Sequence, residues 1–224
     1  MSAATQTGKG KAVRILLVDD HPVVRDGLAE AINREPDLKV CAVAEDRTGA
    51  LQAVQDTQPN LAVIDLTLKD SSGLELIKDL QVRWPALLLL VVSMHEENLY
   101  AERVLRAGAR GYMTKQQATR DIVSAIRRVM AGGVYLNEAT ASAVLSRLTS
   151  KTPAVGGSPL DCLTDRELQV FELTGTGLNT REIATRLRID MKTVETYRTR
   201  IKEKLGLTTS SQLLQMAIQW GRKG

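Results

Sequence analysis

Between Val13 and about Met130 two hydrophobic patterns alternate along the chain. Short apolar runs fall near 13–18, 38–44, 61–65, 87–92 and 111–114. Amphipathic stretches, with apolar residues three or four apart, fill the intervals near 22–34, 47–57, 73–83, 97–107 and 117–131. Apolar runs of this length suit buried strands, whereas a period near 3.6 turns one stripe of a helix toward a core. Strands that alternate with helices predict a parallel sheet covered on both faces.

A further amphipathic stretch lies near 138–149 and carries Ala139, Ala143, Val144 and Leu148. The segment from Ser150 to Pro159 is rich in Pro, Gly and Ser and has no period, which predicts a flexible linker. Beyond it every start signal is helical. Thr164 with Glu167 and Asn179 with Glu182 form capping-box pairs, Asp190 stands before a third helix that Gly206 ends, and Thr209 with Gln212 opens a fourth. The expected organisation is a disordered tail over 1–12, an α/β domain over 13–131, an extra helix and linker over 132–159, and a small all-α four-helix domain over 160–224. The first domain fits a flavodoxin-like (βα)5 fold. In that strand order the first and third strands are neighbours, and ligands bind at their carboxyl ends.

Composition narrows the class. The chain has 224 residues, 43% hydrophobic and 25% charged, enough for two small packed cores. Its longest apolar run, Ala86 to Val92, is far shorter than the roughly 20 residues that span a bilayer. The first residues, Met1 to Lys11, lack the apolar core of a signal peptide. Cys41 and Cys162 share no metal-like spacing and are expected to be reduced thiols in a cytoplasm. The net charge of +4 is unevenly spread: from Leu160 onward there are 11 Lys/Arg and 8 Asp/Glu, a weak pointer to nucleic acid.

The chemistry gathers at the strand ends. Asp19 and Asp20 follow the run ending at Val18, and Asp65 follows the run ending at Ile64. An aspartate at a strand end also serves as a helix N-cap, and Asp20 before His21-Pro22 fits that role too. Three carboxylates on neighbouring strand ends suit Mg²⁺, which takes oxygen ligands and keeps several waters. Ser93 closes the fourth apolar run and Lys115 follows the fifth. A hydroxyl there donates to a phosphoryl oxygen, and an ammonium supplies a point charge. His21 and His95 have no metal-ligand partner at helical or hairpin spacing and are read as rim residues.

This set resembles the receiver domain of bacterial response regulators over nearly all of 13–131. The resemblance implies Asp65 as the phospho-accepting aspartate. It implies Asp19 and Asp20 as the metal-binding pair, with the Thr67 backbone carbonyl as a further ligand. Ser93 and Lys115 become phosphate contacts and Tyr112 the aromatic switch, where a plain half-buried strand aromatic is the alternative. Two departures bear on the loops. Asp65-Leu-Thr-Leu68-Lys69-Asp70-Ser71-Ser72-Gly73 has no proline after the acceptor, and Gln116 follows Lys115 where many receivers have proline, so no cis peptide is expected there. New negative charge on Asp65, met by Ser93 and Tyr112, would alter the face of the fourth helix, fifth strand and fifth helix and shift a dimerisation or docking equilibrium.

In the helical region Val194, Tyr197, Ile201 and Leu205 share one helix face, and Lys192, Glu195, Thr196, Thr199 and Glu203 the other. Leu163 to Val170, with Lys192 to Gly206, resembles the LuxR-type four-helix DNA-binding domain. The combination is similar to the NarL/FixJ class of response regulators. By position Glu195, Thr196 and Thr199 approach base edges, and Lys192, Thr193, Arg200 and Lys204 reach phosphates. A glutamate facing bases accepts from cytosine N4 and discriminates rather than adding affinity. In the family the fourth helix, with Leu213, Leu214, Ala217, Ile218 and Trp220, tends to form a dimer contact, although packing alone explains Leu214 and Ile218 equally well.

The expected function is a transcriptional response regulator of a two-component system, phosphorylated on Asp65 by a sensor histidine kinase with Mg²⁺. Its expected partners are double-stranded promoter DNA, a second copy when phosphorylated and RNA polymerase, with no membrane. It is not expected to be an enzyme beyond autodephosphorylation. A phosphatase of the haloacid-dehalogenase type is disfavoured because position 67 is Thr rather than the second Asp. An autoinducer sensor is disfavoured because only 3% of residues are aromatic.

Overall fold

The computed structural model describes residues 12–68, 71–94, 97–149 and 159–221. Strands β1 (Val13–Val18), β2 (Leu38–Ala44), β3 (Leu61–Ile64), β4 (Leu88–Ser93) and β5 (Gly111–Thr114) form one sheet in the order β2-β1-β3-β4-β5, all parallel. This is the strand order of the flavodoxin-like fold. Val18 lies beside Ile64, and Ile64 beside Val91. The register therefore brings the residues that follow β1 and β3 to a common rim.

Helices α1 (Pro22–Asn33), α2 (Arg47–Thr57), α3 (Gly73–Arg83), α4 (Glu97–Arg106) and α5 (Lys115–Met130) cover the two faces. The period of two sorts each strand between them. Ile15, Leu17, Val63 and Val92 pack with Leu28 and Ile32 of α1 and Ile122 and Ile126 of α5. Leu16, Val18, Ile64 and Val91 join Ala50, Ile77, Leu80, Ala101 and Val104 of α2, α3 and α4.

The loop after Asp65 departs from a plain turn. Thr67–Leu68 pairs antiparallel with Ser71–Ser72, a hairpin that no hydrophobic pattern announces. Lys69 and Asp70 lie outside the described residues. At its end, a Cβ on Gly73 would stand 2.0 Å from the Asp65 carbonyl oxygen and 2.7 Å from Leu66 Cα. Only glycine lets the start of α3 press against the loop after Asp65. At the next loop α5 starts at residue 115, not 117. Thr114 is its N-cap, with a full capping box to Gln117. Lys115 thus sits in a first helical turn, and no peptide bond is cis among the described residues.

Helix α6 (Glu138–Thr149) is held to α4 by a buried carboxylate. The Asn137 N–H donates to Glu97 Oε1 at 2.8 Å, and Asn137 Nδ2 donates to Glu97 Oε2 at 2.7 Å. Burial raises the Glu97 carboxyl above the usual range, against these donors. The predicted tail, except Ala12, and nearly all of the predicted linker lie outside the described residues.

A 3-10 turn (Pro159–Cys162) leads into α7 (Asp165–Gly175), α8 (Thr180–Leu187), α9 (Met191–Leu205) and α10 (Ser210–Gly221). The boxes at Thr164/Glu167 and Asn179/Glu182 are both formed. Asp190 holds the N-cap position of α9, but its carboxylate accepts no capping bond. The Thr193 and Val194 N–H groups donate instead to its backbone carbonyl. A Cβ on Gly175 would meet the Ala217 carbonyl at 2.7 Å, so this glycine sets the close crossing of α7 and α10. One apolar cluster continues from Leu74, Tyr100 and Tyr112 to Leu168 and Phe171, so the helical region is packed on the α/β region.

Candidate functional site

The rim joins four ligand-bearing residues. Asp19, Asp20, His21 and Asp65 place their potential ligand atoms within 4.8 Å of one another. Asp19 and Asp65 are buried because their N–H groups extend the sheet, donating to Ala44 and Val18 carbonyls. Lys115, delivered by the first turn of α5, lies 2.7 Å from Asp19 Oδ2 and 2.7 Å from Asp65 Oδ2. The Thr67 N–H donates to Asp65 Oδ1 at 3.2 Å. Burial raises the Asp65 carboxyl above the usual range; Lys115 opposes this and Asp19 adds to it. Burial pulls Lys115 down, but the two carboxylates outweigh it and hold the ammonium above its ordinary value.

Asp20 does not cap α1; His21 occupies that position, with Pro22 after it. The Asp20 side chain is only 6% exposed. Its Oδ1 lies 2.8 Å from His21 Nδ1 but makes no aligned hydrogen bond with it or with any other group among the described residues. A buried carboxylate oxygen without a hydrogen bond is costly unless a cation completes it. The donor set is therefore one that a hard divalent ion fits, with oxygens from Asp19, Asp20 and Asp65. His21 adds a nitrogen at the exposed edge that sequence spacing gave no reason to include.

Ser93, at the end of β4, is fully buried. Tyr112 of β5 is also fully buried rather than half-buried, and its hydroxyl shares a hydrogen bond with the Ser93 side chain. Burial holds the Tyr112 phenol well above its ordinary pKa. His95 lies outside the described residues.

The helical region covers this rim through contacts no local motif signals. Tyr100 donates to Glu172 Oε2 at 2.9 Å. The Arg103 guanidinium donates to the Leu160 and Leu163 carbonyls at 2.7 and 2.8 Å and to Asp165 at 3.3 Å. Arg188, at the end of α8, lies 3.0 Å from Asp20 Oδ2. Between the two regions a cavity of about 720 Å³ is lined by Asp20, Asp65, Thr67, Phe171, Arg188 and Trp220, among others.

On α9 the predicted facing is realised. Val194 and Ile201 are buried and Tyr197 and Leu205 half-buried, while Lys192, Glu195, Thr196, Thr199 and Arg200 are exposed and Thr193 is half-exposed. Lys204 is not a free surface cation: its ammonium lies 2.6 Å from Glu167 Oε2. Glu195 Oε1 accepts from the Thr180 hydroxyl. On α10, packing belongs to Leu213 and Ala217, whereas Leu214 is exposed and Ile218 half-buried.

Comparison with known proteins agrees with this geometry. Residues 15–127 match the response regulator receiver domain, and residues 161–217 match the bacterial regulatory proteins of the luxR family. The transcriptional activator protein ExaE of Pseudomonas putida is 38% identical over 211 residues, covering 92% of this chain and 96% of that one. The oxygen regulatory protein NreC of Staphylococcus carnosus is 31% identical over 211 residues, covering 92% and 97%. Among solved structures, the RcsB response regulator of Salmonella typhimurium superposes with a TM-score of 0.66 at 22% identity over 94% of this chain and 98% of that one, a likeness of fold. A LuxR-family two-component response regulator from Aurantimonas sp. SI85-9A1 gives a TM-score of 0.57 at 33% identity, covering 62% and 99%. No helix among the described residues is long and apolar enough to cross a membrane. The chain belongs to the NarL/FixJ class of response regulators, in which a receiver domain is joined to a LuxR-type helix-turn-helix domain, and it is a DNA-binding transcriptional regulator of a two-component system.

Proposed function

We propose that Asp65 accepts a phosphoryl group from a sensor histidine kinase in the cytoplasm and that the phosphorylated chain binds promoter DNA as a homodimer. The observation that carries this reading is the Lys115 ammonium held 2.7 Å from both Asp65 and Asp19 at the ends of adjacent strands. An Asp65 carboxylate oxygen attacks phosphorus, the P–O bond forms, the P–N bond to the kinase histidine breaks, and the released imidazole keeps the electron pair. Lys115 then turns from Asp65 to an oxygen of the new phosphoryl group. The Ser93 hydroxyl leaves Tyr112 to donate to another, and Tyr112 moves with it as the switch.

Asp19, Asp20, Asp65 and the Thr67 carbonyl are the groups that would hold Mg²⁺. When bound, the ion neutralises charge on the transferring phosphoryl oxygens. The phosphorylated chain loses its phosphate by hydrolysis. The domain division is 13–131 for the receiver and 160–224 for the DNA-binding domain, joined by α6 and the linker.

At the DNA, Glu195, Thr196 and Thr199 face base edges and Lys192, Thr193 and Arg200 face phosphates, as the exposed side of α9 supports. Lys204 contributes less than its position suggests, because Glu167 holds it. The exposed Leu214 of α10 is left for a second copy, and RNA polymerase is a further partner of the DNA-bound form. The test is incubation with acetyl phosphate and Mg²⁺, followed by intact mass. The expected result is a gain of a single phosphoryl group that Asp65→Asn abolishes; an equal gain in Asp65→Asn would overturn the assignment.

A further inference from the structure

We infer that Arg188 competes with the divalent cation for Asp20, so that metal loading of the receiver and docking of the DNA-binding domain exclude one another. This rests on the reading of the acidic rim as a metal site. It adds that a residue of the DNA-binding domain is a built-in rival for that site.

Arg188 is the C-cap of α8 and has left-handed backbone angles, φ 52 and ψ 47. It is one of two non-glycine residues with positive φ among the described residues. Helices commonly end in this conformation, but with glycine or asparagine. An arginine held there is an outlier of the kind that marks a function. The Ile189 N–H donates to the Ala184 carbonyl, and Leu187 is buried on one side. The turn is thereby fixed, and the Arg188 side chain is sent out of the helical domain.

Its guanidinium lies 3.0 Å from Asp20 Oδ2. The same carboxylate presents its other oxygen buried and without a hydrogen bond. Arg188 thus occupies one oxygen of the residue whose second oxygen has only the unaligned His21 ring beside it among the described residues. The charges reach the same conclusion. Among the described residues Asp19, Asp20 and Asp65 face two permanent cations, Lys115 and Arg188, and the His21 ring at the exposed edge. A divalent ion brings the site to neutrality only if Arg188 withdraws; with the half-exposed Arg188 guanidinium in place, excess positive charge would stand beside the buried carboxylates, which is unfavourable.

Coupling between two binding events is reciprocal. Docking lowers the apparent metal affinity, and metal weakens docking before any phosphoryl group arrives. The metal needed for phosphotransfer then also begins to uncover the acceptor.

The test is calorimetric titration of Mg²⁺ into the unphosphorylated full-length chain. Arg188→Gln is expected to bind Mg²⁺ at least about fivefold more tightly than the wild type. Arg188→Gly, which suits the left-handed backbone, guards against a folding defect and should give the same gain. Arg181→Gln, an exposed change on the same helix, should match the wild type. Equal or weaker Mg²⁺ binding by both Arg188 variants would overturn the competition. Absence of Mg²⁺ binding in every protein, wild type included, would overturn the metal reading itself and the inference with it.

Discussion

The Tyr100 hydroxyl donates to Glu172 Oε2 at 2.9 Å, and this bond joins the receiver to the DNA-binding domain. Tyr100 is fully buried, and burial, with the neighbouring Glu172 charge, holds its phenol well above the ordinary value, so it remains a donor across the physiological range. It lies in the same apolar cluster as Tyr112, whose hydroxyl meets Ser93. The Tyr112–Ser93 pair and the domain interface are therefore neighbours. Tyr100→Phe removes a charge-assisted hydrogen bond worth about 1.5–3 kcal/mol. Small-angle scattering should show a larger radius of gyration for this variant without phosphate, and a profile identical to the wild type would contradict the role of the bond.

Two glycines in helices of the receiver should respond in opposite directions. Gly73→Ala drives a Cβ into the Asp65 and Leu66 backbone, which must shift to admit it. It should destabilise the receiver by at least about 1–3 kcal/mol. Gly27, inside α1, has nothing within 4 Å of an added Cβ, so Gly27→Ala should stabilise by about 0.5–1 kcal/mol. Chemical denaturation of the two variants against the wild type reads both effects, and a shift of the same sign in each would contradict the packing argument.

Glu167 supports the DNA-binding domain through charge. Burial alone would raise its carboxyl, but Lys204 and the Thr164 capping groups outweigh burial and hold it below the usual range. A lowered folded-state value means that its contribution is present above the ordinary glutamate value of about 4.3 and fades as pH falls through the folded value. Glu167→Gln should cost about 1–3 kcal/mol at neutral pH. The gap to the wild type should close on acidification below about pH 4. A gap that is constant with pH would assign the loss to packing rather than to the ion pair.

The exposed side of α9 separates affinity from discrimination. Arg200→Ala should weaken binding evenly across DNA sequences and reduce the slope of log affinity against log salt by about one. Glu195→Gln should instead change the preferred base at its contact, by about 1–3 kcal/mol for that pair. Selection from a randomised DNA pool, with a salt titration, distinguishes the two; an unchanged base preference in Glu195→Gln would remove it from base recognition.

Much of this was legible in order along the chain. The alternation of apolar runs and amphipathic stretches predicts all five main strands and a parallel sheet covered on both faces, and the fit to a flavodoxin-like fold supplies their order. The rim follows, since Asp19, Asp65 and Ser93 end or follow their strands. The capping boxes at Thr164 and Asn179 are local, so they appear in the structure as expected. What escaped is non-local. Arg188, Tyr100, Arg103 and Glu172 look like ordinary helix residues until two domains are brought together. Lys204 looked free because Glu167, 37 positions away, is invisible to helical periodicity. The hairpin after Asp65 is two residues per strand, too short for any period to register.

Phosphorylation of Asp65 should control DNA binding. The affinity of the full-length chain for a DNA fragment that it selects from genomic DNA is read by fluorescence anisotropy, with and without acetyl phosphate and Mg²⁺. The same pair of measurements is made for Asp65→Asn. Tightening of at least about fivefold is expected in the wild type and none in Asp65→Asn. Equal affinity with and without phosphorylation, or equal tightening in Asp65→Asn, would contradict it.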